Sequence, residues 1–165
     1  FLYLISSSVS YSIERPDVNN LIIHNEKKTI GKVEFFNSKK NRVSLDNFEQ
    51  NLTIINFWAT WCAPCKEEMP HLDKLLSKHK FKDVNVIPIN IADEKLEKSK
   101  EFFEELNIKN LEIFYGSSIG LAKEFKLRGI PTTIFVDKEG YEFARIIGFI
   151  DFENKSFLDW LSKHL

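Results

Sequence analysis

The sequence is poor in cysteine, in excess charge and in long apolar runs. It has two cysteines among 165 residues, which excludes a framework of several disulfides and any cluster held by four thiolates. No run of about 18 apolar residues occurs, so these residues hold no complete membrane span. The net charge of −1 gives no reason to expect nucleic acid or an anionic membrane surface as a partner. The remaining composition, 43% hydrophobic and 28% charged, is that of one globular domain with a short tail.

The two cysteines lie three residues apart, where an apolar run meets a helix. Residues 52–58 predict a buried strand, and the helix continues to about residue 80, with a kink at Pro70. At the start of a helix, positions i and i+3 share one side, so the two sulfurs can come within bonding distance. Negative charge is favoured there by the unpaired N–H groups. We expect Cys62, near the N-cap, to be more exposed than Cys65.

This arrangement suits thiol–disulfide exchange, which needs a reachable thiolate and a second thiol that resolves the mixed disulfide. We interpret Cys62 as the nucleophile and Cys65 as the resolving thiol of a redox-active disulfide. A structural zinc site would need two more ligands, and the spacings of the four histidines match no finger or ribbon pattern. A purely structural disulfide across so short a loop would restrict the unfolded chain little. We therefore predict neither a metal nor another cofactor.

Residues 56–70, from Asn56 to Pro70, resemble the active-site block of the TlpA/ResA branch of the thioredoxin-like proteins. Phe-Trp-Ala and Trp-Cys-x-Pro-Cys are shared with ordinary thioredoxins, whereas the Glu-Met-Pro ending is more typical of this branch and of TlpA itself. The resemblance covers about residues 33–165. It implies a thioredoxin-like α/β fold, in which helices flank a central mixed β-sheet, with an N-terminal β-hairpin and a βα insert between the central strands.

Patterns along the chain are consistent with that fold and predict a domain over residues 29–165. Strands are predicted over 29–36, 43–48, 84–91, 111–115, 129–137 and 141–148, and further helices over 94–106, 119–125 and 152–165. Residues 1–28 are predicted to be a tail or linker. Within it, residues 1–10 are apolar and indicate either the end of a signal anchor or a tail, and residues 14–26 indicate a linker or extended arm.

A second part of the site follows from the resemblance. Ile130-Pro131 matches the position of the cis-proline in thioredoxin-like proteins, and its backbone is expected to pair with an extended client segment. Trp61 is expected to shield the sulfurs and offer an apolar docking surface, together with Ala63 and Pro64 between the cysteines.

Two positions are expected to affect the pKa of the thiols and the reduction potential of the couple. Thioredoxins bury an aspartate where this chain has Asn56, which cannot titrate, so Glu68 is the candidate replacement. Alternatively, Glu68 is an exposed first-turn residue that interacts with the helix dipole. Glu67 is expected to point elsewhere and to be solvated. A carboxylate beside the cysteines raises the thiol pKa and makes the couple more reducing. The Ala63-Pro64 pair also lacks the histidine of strongly oxidising relatives, so both features favour a reductase.

The resemblance implies reduction of disulfides in client proteins with cysteine pairs. Members of this branch are generally anchored to the bacterial inner membrane by an upstream segment and face the periplasm. They receive electrons from a membrane thiol transporter. Their clients belong to cytochrome c biogenesis or to the copper site of cytochrome oxidase. We expect a monomer. A periplasmic disulfide oxidase or isomerase, a general thioredoxin and a copper-binding assembly factor remain as alternatives.

Overall fold

A computed structural model describes residues 14–48 and 50–165 of the chain. Within these residues the strands are β1 (Leu21–Thr29), β2 (Glu34–Asn37), β3 (Arg42–Ser44), β4 (Leu52–Trp58), β5 (Asn85–Asn90), β6 (Phe114–Tyr115), β7 (Thr132–Asp137) and β8 (Tyr141–Ile147). The α-helices are α1 (Ala63–Ser77), α2 (Leu96–Glu105), α3 (Ser118–Glu124) and α4 (Lys155–Leu161). None of these helices is both long enough and apolar enough to cross a membrane.

The eight strands form one mixed sheet in the order β1-β8-β7-β4-β5-β6-β2-β3. Strand β4 runs parallel to β5 and antiparallel to β7, so the carboxyl end of β4 and the amino end of β7 lie at the same edge of the sheet. The hairpin of β2 and β3 is joined to the sheet through β6. This confirms the predicted thioredoxin-like α/β fold with its N-terminal hairpin and its insert of β6 and α3.

Strand β4 is buried on both sides, which explains its continuous apolar run. Ile54 and Trp58 belong to the core cluster that also contains residues of α1, α2 and α4. Ile55 and Phe57 belong to a second cluster, which contains residues of α3 and of the hairpin. The sheet is therefore covered on both sides, and α1 lies on the same side as Ile54 and Trp58.

Residues 14–26, predicted as a linker or extended arm, contain the start of an extended strand at the edge of the sheet. Strand β1 begins at Leu21 and pairs antiparallel with β8, from Leu21 opposite Ile146 to Thr29 opposite Tyr141. Only Leu21 is buried in this strand, and the register shifts between Ile23 and Lys28, so the sequence carries no apolar alternation there. The apolar patch over residues 1–10 lies outside the described residues.

Three other predicted elements differ in extent. The predicted strand over residues 29–36 is split, because β1 ends at Thr29 and β2 begins at Glu34. The last helix begins at Lys155 and not at residue 152, because the side chain of Asn154 accepts a hydrogen bond from the Phe157 N–H and caps it. Strand β6 has two residues, where five were predicted.

The buried side chain of Asp73 ties α1 to the segment that leads into β6. Its Oδ1 accepts hydrogen bonds from the backbone N–H groups of Lys109, Asn110 and Leu111 at 3.2, 2.7 and 3.0 Å. These N–H groups are therefore satisfied by a side chain of α1 and not by a neighbouring strand. Charge-assisted hydrogen bonds of this kind are stronger than those between neutral groups.

Asp73→Ala is expected to lower the free energy of unfolding by about 2 kcal/mol, because three N–H groups, of which that of Leu111 is buried, lose their acceptor. Denaturant unfolding of the oxidised protein measures this loss. Asp83→Ala is the matched control, since the Asp83 side chain is 80% exposed and only 4.0 Å from Lys82 Nζ at its nearest approach. An equal loss in both variants would show that the Asp73 contacts do not hold the insert.

Candidate active site

The two cysteines form a disulfide at the amino end of α1. Cys62 is the N-cap residue, with an extended backbone, and its Sγ accepts a hydrogen bond from the Cys65 N–H at 3.3 Å. Pro64 occupies the second helical position, where no intrahelical partner is lost. The Cα atoms of the two cysteines are 5.2 Å apart. Both residues are buried in this form, Cys62 at 5% exposure and Cys65 at 0%, which is the predicted order.

The Ile130–Pro131 peptide bond is cis, as the resemblance implied. Thr132 pairs with Phe57 of β4, so Pro131 lies at the same edge of the sheet as the segment that leads from β4 to Cys62. The carbonyl of Pro131 accepts a hydrogen bond from the Gly148 N–H at 2.8 Å, which fixes the loop to the end of β8. Chain topology thus brings two distant motifs, Cys62–Cys65 and Ile130–Pro131, to one edge.

The surface around the disulfide is apolar and open. Trp61 is 70% exposed, Ala63 and Pro64 are exposed, and Ile130 is half-buried. Trp58 is different, because it is fully buried with its ring 4.7 Å from that of Phe102. Trp58 therefore packs in the core, and Trp61 is available for contact with another molecule.

Glu68 is buried, so the alternative of an exposed first-turn carboxylate is wrong. Its Oε1 accepts a hydrogen bond from Asn56 Nδ2 at 2.7 Å, and its Oε2 accepts one from the Ile150 N–H at 3.1 Å. Burial raises the pKa of the Glu68 carboxyl to about 7, and these two hydrogen bonds oppose the rise only in part. Glu68 lies one helical turn after Cys65, so the two residues are on the same side of α1. Glu67 is exposed, as predicted.

Asn56 supports Glu68 from the neighbouring strand, a contact that the sequence analysis missed. Its Nδ2 donates to Glu68 Oε1 and to Thr133 Oγ1, the latter at 3.0 Å. Thr133 lies directly opposite Asn56 in the pairing of β4 with β7. The sequence did contain a signal, because an amide within an apolar strand must find a buried partner. The identity of that partner depends on the placement of α1 over the sheet.

A second missed contact holds the loop before the cysteines. The hydroxyl of Thr60 donates to the Glu94 carboxylate, with oxygen–oxygen distances of 2.7 and 2.8 Å. Asn90, at the end of β5, contacts the same carboxylate through Nδ2 at 3.3 Å. The loop that carries Trp61 is therefore fixed to the segment between β5 and α2.

One group of side chains has the composition of a metal site. Ligand atoms of His71, Asp151 and Glu153 lie within 4.8 Å of one another at the surface. His71 Nδ1 is 3.0 Å from Asp151 Oδ1, and Lys74 Nζ is 3.4 Å from Glu153 Oε2. We interpret the group as ion pairs that hold the segment after Ile150 against α1, because each carboxylate already faces a basic side chain.

Comparison with known proteins agrees with this geometry. The model of the AhpC/TSA family matches residues 27–141, which is more than half of the chain. The chain belongs to the AhpC/TSA family. Within the family, its resemblance to the ResA branch is also confirmed: it is 30% identical over 161 residues to the thiol-disulfide oxidoreductase ResA of Bacillus thuringiensis (strain Al Hakam), covering 89% of this chain and 84% of that protein.

Other AhpC/TSA relatives match over a shorter length. A ResA protein of Bacillus cereus is 31% identical over 107 residues, which cover 65% of this chain and 61% of the relative, so this match spans about three fifths of the relative's length. Solved structures show the same fold. StoA from Bacillus subtilis has a TM-score of 0.65 at 23% identity, covering 81% of this chain and 98% of StoA. A DsbF homologue from Corynebacterium diphtheriae has a TM-score of 0.72 at 19% identity, covering 91% and 96% of the two chains.

Proposed function

We propose that this protein is a thiol:disulfide oxidoreductase that reduces disulfides in client proteins. The observation that carries the proposal is the placement of the Cys62–Cys65 disulfide at the amino end of α1, on the same sheet edge as the cis Ile130–Pro131 bond. Relatives that are 30% identical carry the name thiol-disulfide oxidoreductase ResA, which supports the same chemistry here.

The reaction proceeds in two exchange steps. The Cys62 thiolate attacks one sulfur of the client disulfide, forms a mixed disulfide and releases the first client thiolate. The Cys65 thiolate then attacks Cys62 Sγ, which forms the intramolecular disulfide and releases the second client thiolate. Two electrons pass to the client, and the protein is left as the disulfide. Cys65 must lose its proton before the second step, and Glu68 is the carboxyl group one turn away that accepts it.

Several features support reduction as the direction of net transfer. The negative charge of Glu68, when it is ionised, disfavours a neighbouring thiolate and so raises the thiol pKa. A less stabilised thiolate makes the dithiol form easier to oxidise and the couple more reducing. Ala63 and Pro64, between the cysteines, supply no positive charge that would counter this effect.

We place the protein on the periplasmic side of a bacterial inner membrane, held by an upstream anchor, with a membrane thiol transporter as its electron donor. Its clients are the cysteine pairs of apocytochrome c or of the cytochrome oxidase copper site. The proposal follows from the resemblance of residues 56–70 to the TlpA/ResA branch. The exposed Trp61 and the half-buried Ile130 offer the surface on which such a client segment would dock.

The reduction potential of the Cys62–Cys65 couple tests the direction of transfer. We expect a value near that of thioredoxin, about −270 mV, or lower, when the protein is equilibrated with dithiol and disulfide buffers. A potential near −120 mV, which is typical of a strong oxidant, would contradict the reductase and favour a disulfide oxidase. We expect Glu68→Gln to shift the reduction potential of the couple upward. Glu67→Gln is its control.

A further inference from the structure

A cavity of about 540 Å³ lies between β1, β8 and the end of α3. It is on the α3 side of the sheet, because Phe125 belongs to the second core cluster and also lines this cavity. Its deepest side chains are charged. Arg145 Nε and Nη2 donate to the two oxygens of Glu142 at 2.6 and 2.7 Å, and Arg145 Nη1 donates to the Phe125 carbonyl at 3.0 Å.

The charged groups at the base of the cavity neutralise one another. His24 Nε2 is 2.6 Å from Glu142 Oε1, and the side chains of His24 and Glu142 are 6% and 4% exposed. Burial opposes ionisation of Glu142, but the hydrogen bonds from Arg145 and His24 outweigh it and hold the pKa of this carboxyl below its usual value. The polar side chains at the base of the cavity are therefore hydrogen-bonded to one another.

The rim of the cavity carries an excess of positive charge. Lys28, Lys126 and Arg128 line it, and none of them has an ion-pair partner among the described residues. Glu124 also lines it and accepts a hydrogen bond from the Gly31 N–H at 3.0 Å, so these three basic side chains outnumber this carboxylate at the rim. Lys27 also lines it but pairs with Asp137 at 2.6 Å. The whole chain has a net charge of −1, so this local concentration of unpaired positive charge does not reflect its composition. Such a surface attracts anionic groups.

The backbone at Lys126 ends α3 at the cavity and fixes where this side chain leaves the helix. Lys126 follows the C-cap of α3 with φ of 49°, in the left-handed region, where glycine is the usual residue. The Leu127 N–H donates to the Ala122 carbonyl at 2.9 Å and the Lys126 N–H to the Lys123 carbonyl at 3.3 Å, which completes the helix-ending motif. A lysine at this position costs conformational energy that glycine would not.

The rim leads to the cis-proline loop. Arg128 precedes Pro131 by three residues, and Ile147, which also lines the cavity, pairs with Thr132. An extended client segment advances by about 3.3 Å per residue. Because Arg128 lies two residues before Ile130, a segment docked along Ile130 runs past the rim of the cavity close to its reactive cysteine.

We propose that this cavity binds the carboxylates of an acidic client segment that flanks the reactive cysteine. The inference rests on the proposed function and specifies which clients the site prefers. Lys126 and Arg128 make the contacts nearest to the cis-proline loop, and Lys28 extends the positive rim along β1. A client with aspartate or glutamate two to four residues from its cysteine is favoured over one with amides at those positions.

Binding of two labelled peptides to the oxidised protein tests the inference without any redox step. One peptide carries aspartates two and four residues from a serine that replaces the cysteine, and the other carries asparagines at the same two positions. In fluorescence anisotropy we expect the acidic peptide to bind about tenfold more tightly at low salt, and we expect this preference to shrink as salt rises. The double variant Lys126→Gln, Arg128→Gln should lose the preference.

The matched control is Lys80→Gln, Lys82→Gln, which removes the same charge beside the amino end of β5, at the opposite edge of the sheet. It should keep the preference, and equal binding of both peptides to the unmodified protein would overturn the inference. Cysteine-containing versions of the two peptides, each oxidised to a disulfide-linked dimer, distinguish failure of the acidic preference from failure of the proposed function. If neither were reduced by the dithiol form, the proposed function would fail, whereas reduction of both at equal rates would contradict only the acidic preference.

Discussion

Cys62→Ser is expected to abolish disulfide reduction, and Cys65→Ser is expected to stop it after the first exchange. Serine cannot supply a thiolate at neutral pH, so without Cys62 no mixed disulfide with a client forms. Without Cys65 the mixed disulfide forms but has no resolving thiol, since the chain has no third cysteine. We expect turnover of a model disulfide substrate to fall to the uncatalysed rate in both variants.

The two variants differ in what they accumulate. Cys65→Ser should retain its client in a covalent complex that reducing agent releases, and gel electrophoresis without reductant detects this complex. Cys62→Ser is the matched control, because its remaining thiol at Cys65 is fully buried in the oxidised structure. If Cys62→Ser trapped clients as well as Cys65→Ser, the assignment of Cys62 as the nucleophile would be wrong. The trapped proteins would also identify the client class.

Glu68→Gln is expected to remove a pH dependence of stability from the oxidised protein. Burial raises the pKa of the Glu68 carboxyl from 4.5 to about 7, so the folded state favours the neutral form. The neutral carboxyl stabilises the folded state fully at pH values below its pKa in the unfolded chain. This stabilisation is lost as pH rises through its pKa in the folded state. Between pH 5 and pH 8 the unmodified protein should therefore lose roughly 2–3 kcal/mol of unfolding free energy relative to Glu68→Gln.

Denaturant unfolding at a series of pH values measures this difference, with Glu67→Gln as the control because Glu67 is exposed. His71 and Asp151 also lie near this part of α1, 3.0 Å apart, and both are unchanged in the two variants. Parallel pH profiles for the unmodified protein and Glu68→Gln would show that the carboxyl does not titrate between pH 5 and pH 8.

The same substitution is expected to slow the resolving step, because glutamine cannot accept the proton of Cys65. A positioned general base contributes about 100-fold or more, so the rate of mixed-disulfide resolution should fall by about that factor. The rate profile should also lose its inflection near pH 7. A structural defect alone would lower the rate at every pH without removing that inflection.

The cysteine motif and its helix could be predicted because the signals are local. A strand buried on both sides has a continuous apolar run, and Cys62, Ala63 and Pro64 form a recognisable helix start. Pro88 lies within β5 opposite Asn56. Proline is unfavourable in a strand, but the apolar residues around it still predicted β5. The cis bond before Pro131 followed from the family resemblance and not from the residues around it.

The parts that were missed depend on contacts between distant segments. Strand β1 exposes most of its residues, so its pairing with β8 leaves no pattern in the sequence. The burial of Glu68 depends on Ile150, which is 82 positions away, and on the depth at which α1 packs on the sheet. A glutamate one turn after a cysteine has the same local sequence whether it is buried or exposed.

The two outer strands of the sheet have a consequence for aggregation. Strand β3 has only three residues, and β1 carries charged side chains at Glu26, Lys27 and Lys28 beside its register shift. Short, charged or irregular edges are poor templates for the addition of another chain. Both outer edges of the sheet are therefore protected against the addition of another chain's backbone, which limits polymerisation through these strands.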